Sequence, residues 1–75
     1  MKYVITDQGE VALGHNTFHQ ILGEKCKGKV IAAGHCRLVD TKYEVYGESI
    51  GYGIQSKPED ADFINSSSKV VIYAD

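Results

Sequence analysis

Two features of this 75-residue chain carry side chains and backbone suited to phosphorus chemistry. One is His19, whose imidazole changes protonation near neutral pH and can act as nucleophile or general base. The other is Val45-Tyr46-Gly47-Glu48-Ser49-Ile50-Gly51-Tyr52-Gly53, where a serine stands among three glycines directly after a strand-like run. Glycines let the backbone come close to a ligand, and successive N–H groups in such a turn form a nest for an anion. Ser49 adds a hydroxyl beside that nest. Preorganised donors of this kind stabilise the charge of a phosphoryl transition state. The same spacing also suits a plain hairpin loop whose glycines only relieve strain. Neither Gly-x-Gly-x-x-Gly nor Gly-Lys-Ser/Thr occurs here, so the segment is not a nucleotide phosphate loop of the usual kinds.

His19 needs a positioned helix. Asn16 is a good N-cap, and Phe18, Ile21, Leu22 and Cys26 fall at helical spacing, which predicts a helix over 16–26. His19 then lies on the flank of the apolar stripe, near solvent, where the helix meets the sheet. The uncapped N–H groups and positive dipole of that helix start favour a bound phosphoryl group and keep the ring neutral. A boundary histidine without a role fits the same periodicity.

Val-Tyr-Gly-x-Ser-x-x-Tyr-Gly resembles the signature of the small phosphohistidine phosphatase (janus/ocnus) family. The resemblance extends outward in order. Lys2-Tyr3-Val4 is similar to the family's first core strand, and Phe18-His19 to its aromatic-His pair at a helix head. Gly34 to Arg37 resembles its glycine-rich turn ending in arginine, and Val70-Val71-Ile72-Tyr73-Ala74-Asp75 its last strand. The likeness implies one phosphohistidine phosphatase-like domain over 1–75, with a mixed sheet and helices on both faces. It implies that His19 is the catalytic group, acting without a metal on phosphohistidine or a related phosphoramidate. Lys2, Gln20, Arg37, Ser49 and Gly51 are then the substrate-binding residues. Ser49 and the N–H groups near Gly51 hold the phosphoryl oxygens, and Lys2 and Arg37 offset their charge. The chain departs from the family in one connection. Relatives have a longer link with a basic residue before the first helix, whereas Asp7–Leu13 is short and carries Asp7 and Glu10 instead.

The remaining elements follow from pattern. Lys2–Thr6 is β-rich and ends at the turn signal Asp7-Gln8-Gly9. Gly28 is a stop for the first helix, with Lys25, Lys27 and Lys29 near its negative end. Val30–Ala33 reads as a buried strand continuing toward His35, with Leu38–Asp40 extending it or opening a turn. Lys42–Tyr46 alternates as a strand with one wet face. Pro58-Glu59-Asp60 opens a second helix with Ala61, Phe63 and Ile64 as its apolar patch, and Asn65-Ser66-Ser67-Ser68 ends it. Lys69–Tyr73 is the last strand. The order β-α-β-β-α-β gives an α+β or α/β domain around a single mixed sheet with two helices.

Composition sets bounds on partners. Net charge is −2, and the 8 basic residues are scattered, which argues against nucleic-acid binding. The apolar stretches are too short to span a bilayer, and Asp7 and Glu10 break any export signal after Lys2. Two cysteines, Cys26 and Cys36, read as reduced thiols, so a cytoplasmic protein is expected. A core this small leaves a thin stability margin that homo-oligomerisation would widen. For a metal, His15, His19, His35, Cys26 and Cys36 include a histidine pair at i,i+4, His15 and His19. His15 precedes the expected N-cap and the cysteines lack a zinc-knuckle spacing, so no metal or cofactor is assigned. Three readings remain: the phosphohistidine hydrolase, a non-catalytic module binding a phosphorylated small molecule, nucleotide or protein in the same pocket, and a sheet-edge interaction protein.

Overall fold

A computed structural model describes residues 1–73. The chain runs β1 (Lys2–Thr6), β2 (Val11–Gly14), α1 (His19–Glu24), β3 (Val30–Val39), β4 (Lys42–Tyr46), β5 (Glu48–Ser49), β6 (Ile54–Gln55), α2 (Pro58–Ser66) and β7 (Val70–Tyr73). Five strands form one sheet in the order β4-β3-β1-β2-β7, and β5-β6 form a small second sheet. All pairs in the large sheet are antiparallel except β2 with β7, so the sheet is mixed and the fold is α+β.

β1 sits at the centre because both of its faces are apolar. Tyr3 and Ile5 point to one side, where they join Val11, Leu13, Ala32, Cys36 and Ile64 of α2. Val4 points to the other, with Ala12, Ala33 and Leu22 of α1. The two helices therefore cover opposite faces, as the family likeness implies. Alternation along β3 assigns sides in the same way. Ala33 faces α1 while Cys36 faces the α2 core, so His35 and Arg37 share the α1 side.

The structure corrects the element order expected from sequence. The link Asp7–Leu13 is not a bare connection. Gly9, at φ 77°, closes a tight turn in which Gly9 N–H donates to Thr6 O and Thr6 N–H to Glu10 O. The chain then returns as β2, four residues buried throughout. β5 and β6 are likewise additional, and β3 runs past His35 to Val39, with Asp40 at φ 56° making the turn into β4.

The first helix is also shorter than predicted. It has six residues, with Phe18 rather than Asn16 at the N-cap. Only Leu22 of the expected stripe is fully inside, and Cys26 lies beyond the helix, half-buried; Phe18 and Ile21 are exposed. The helix ends early because the acids of the β1–β2 turn capture the following loop. Glu10 accepts N–H bonds from Lys27 and Gly28, and Asp7 accepts one from Lys29. The hydrogen bonds from Lys27 and Gly28 hold the Glu10 carboxyl below its ordinary value.

On the opposite face, α2 begins as the sequence predicts, with Pro58 in its first turn. Buried Asp60 accepts from Lys57 N–H at its start and from the Tyr3 hydroxyl of β1 at 2.5 Å. Burial, and then Asp60, push the Tyr3 phenol up, so it stays a donor. Cys26 and Cys36 are free thiols attached to opposite faces of the sheet. Ala74 and Asp75, the end of the expected last strand, lie outside the described residues. Among the described residues no helix is long and apolar enough to cross a membrane.

Candidate functional site

A cleft of about 240 Å³ opens on the α1 face and is lined by Lys2, Phe18, His19, Gln20, His35, Glu48, Ile50 and Gly51. Four separate pieces of chain meet there. β1 contributes Lys2 and β3 contributes His35, its direct partner in the strand register. The start of α1 gives Phe18, His19 and Gln20, and the β5–β6 hairpin gives Glu48, Ile50 and Gly51.

His19 is inside rather than near solvent, at 8% exposure. Its Nε2 lies 2.7 Å from the carbonyl oxygen of Gly34. A carbonyl can only accept, so Nε2 carries the proton and the neutral ring keeps its lone pair on Nδ1. Among the described residues Nδ1 has no hydrogen-bond partner, yet no buried side-chain nitrogen or oxygen there is unsatisfied. Nδ1 is therefore not sealed inside, and the cleft is where His19 lines open space. Burial holds the imidazole below its ordinary value; the Gly34 carbonyl draws it partly back, while His35 and Lys2 push it down further. The neutral ring thus comes from burial and neighbouring charge. A helix of six residues contributes little dipole, which amends the reason expected from sequence.

His35 stands edge-on to His19, with ring centroids 5.4 Å apart, and stacks on Tyr46 at 5.6 Å. Gly47, at φ 69°, makes this tier possible. A Cβ there would come within 2.9 Å of the His35 ring, in a backbone conformation that side chains resist. The signature's first glycine is thus a support for a histidine that no motif in the sequence marks. Alternation from Ala33 was the signal that could have placed His35 beside Lys2.

The signature starts in the end of β4, and its residues 48–53 supply β5 and the turn of the β5–β6 hairpin, one side of which is a wall of the cleft. Tyr52 N–H donates to Ser49 Oγ at 3.4 Å and Gly53 N–H to Ile50 O at 3.2 Å. Both groups are used inside the turn, while Ile50 and Gly51 line the cleft. Ser49 itself is fully buried behind the wall and does not line the cleft. Its hydroxyl braces the turn. Gln20 faces Gly51 closely enough that a Cβ on Gly51 would lie 3.7 Å from its Nε2.

Arg37 is on the same side of the sheet but outside the cleft. It pairs with Glu44 at 3.5 Å and sits 5.2 Å from the Tyr46 ring centre, with most of its side chain in solvent. Of the sequence-predicted residues, the fold therefore gathers Lys2, His19, Gln20 and Gly51, sets Ser49 behind them and leaves Arg37 one tier out. It adds His35 and Glu48. No family model, curated protein or solved structure matches the chain.

Proposed function

We propose that this cleft is a phosphoryl site and that the protein hydrolyses phosphohistidine or a related phosphoramidate, in the manner of the small phosphohistidine phosphatases its signature resembles. The observation that carries the reading is the His19 ring: Nε2 fixed on Gly34 O, pKa lowered, Nδ1 open to the cleft. A neutral, oriented imidazole is the form that attacks phosphorus or takes a proton from water. Lys2 and the N–H groups of Ile50 and Gly51 offset charge on the phosphoryl oxygens, with the Gln20 amide as a further donor. As the P–N bond breaks, its electron pair stays on nitrogen, which leaves as a neutral base when it already carried a proton. Such a leaving group asks little of the protein, in keeping with so small a site.

Size favours this reading over a nucleotide module. About 240 Å³ is below the roughly 300–1,000 Å³ of ordinary small-molecule pockets, and suits one phosphorylated side chain.

The test is release of phosphate from a phosphohistidine peptide in EDTA, followed by phosphorus NMR. His19→Gln keeps a donor for Gly34 O but lacks the ring nitrogen. It should lower kcat/KM by about 10²–10⁴-fold, the span of a positioned acid–base group. A wild-type chain that binds phosphorylated peptides without turnover would leave a binding module. A chain that does neither would refute the phosphoryl site.

A further inference from the structure

Glu48 is the anomaly in a cleft read as an anion site. It lines the same small space as Lys2, His19 and His35, and a carboxylate there repels phosphate. No structural duty explains it. Its cross-strand neighbour is the uncharged Gln55. Among the described residues the ion pair is Arg37 with Glu44, so Glu48 and Lys2 face one cleft without pairing with each other. On the open side stand two apolar side chains, Phe18 at 70% and Ile50 at 87% exposure. The cleft therefore offers a cation, an anion and apolar flanks within one side chain's reach.

On the basis of the phosphoryl-site reading, we infer that Glu48 is a specificity-determining residue that recognises positive charge beside the phosphoryl group. It restricts the cleft to phosphoryl groups carried on a basic nitrogen side chain. A phosphate ester on a neutral alcohol or phenol brings only negative charge and meets repulsion from Glu48. A phosphorylated imidazole or amine that holds a proton brings both signs. Its phosphoryl oxygens face Lys2 and the hairpin N–H groups, its cationic nitrogen faces Glu48, and its carbon chain lies between Phe18 and Ile50. Opposite charges matched along one ligand give selection against partners that carry only one of them.

The experiment compares two hydrolysis-resistant probes on the full chain by proton–nitrogen NMR: 2-aminoethylphosphonate, which carries an ammonium, and ethylphosphonate, which does not. Wild type should bind the aminoethyl probe about fivefold more tightly, the reach of an ion pair still in contact with solvent. Glu48→Gln should erase that preference by strengthening ethylphosphonate binding and weakening that of the zwitterion. Lys2→Gln should weaken both probes together. Equal affinity of wild type for the two probes, or a preference that survives Glu48→Gln, overturns the role of Glu48 while the phosphoryl site stands. Failure of both probes to shift the amides of Gln20, Ile50 and Gly51 overturns the site itself, and the role of Glu48 with it.

Discussion

On the face covered by α2, the buried polar groups find their partners inside the fold: Tyr3 donates to Asp60, which also receives Lys57 N–H. On the face covered by α1, the buried histidine has one ring nitrogen held by Gly34 and the other open to a cleft. The helices differ in the same sense. α2 spans nine residues and starts with its own cap, whereas α1 has six and depends on Leu22 and on the loop tethered by Glu10. A fully satisfied polar pair only holds structure. A half-satisfied titratable ring beside a cation is what chemistry uses.

The sharpest way to break this contrast is to cut one apolar anchor on each side. Leu22→Ala and Ile64→Ala each remove a buried branched side chain and should each cost about 2–5 kcal/mol in urea unfolding. Their effects on the site should differ. At low denaturant, Ile64→Ala should keep phosphonate binding, while Leu22→Ala should lose it, because Leu22 is the buried anchor of the helix that carries His19. Equal loss of binding in both would show that the faces are not separable.

Next in size is Tyr3→Phe. It strips Asp60 of its buried donor and should destabilise by about 1–3 kcal/mol, measured by the same unfolding, with ligand affinity unchanged. Smallest is Arg37→Ala, whose solvent-exposed pair with Glu44 predicts a change within about 1 kcal/mol. It should leave turnover within a few-fold of wild type, since Arg37 does not reach the cleft. A large catalytic loss from Arg37→Ala would restore the direct role expected from sequence.

Much of the architecture was legible in the sequence, for reasons that also explain what was not. β1, β4, β7 and α2 have periodicity or flanking signals of their own, so local pattern suffices for them. β2 has neither. Val11–Gly14 is a four-residue run buried on both faces, and its parallel partner β7 lies at the far end of the chain, so only tertiary pairing makes it a strand. The overlong first helix has the same cause. With β2 running to Gly14, the chain needs His15–Thr17 to turn, and helix begins only after Phe18. That shift carried His19 from the expected rim into the interior. Around the cleft, the resemblance singles out His19, Lys2, Gln20 and Gly51, and the fold gathers these four. Ser49 stands out in the sequence for its hydroxyl, but its complete burial depends on hairpin packing that no spacing reveals. Glu48 occupies a variable position of the signature, so neither periodicity nor resemblance singled it out.

The chemistry proposed for the cleft depends on one ring, whose protonation nitrogen-15 NMR of the His19 imidazole reads. The ring should be neutral at pH 7 with the proton on Nε2, titrating below the ordinary value of 6.5. Because the folded value is depressed, the unfolded chain binds more protons below pH 6.5, so His19 should make the fold less stable as pH falls through that region. Inorganic phosphate should shift the Nδ1 resonance and leave Nε2 bonded to Gly34. A ring protonated on Nδ1, or one that titrates at or above 6.5, would remove His19 from the proposed chemistry.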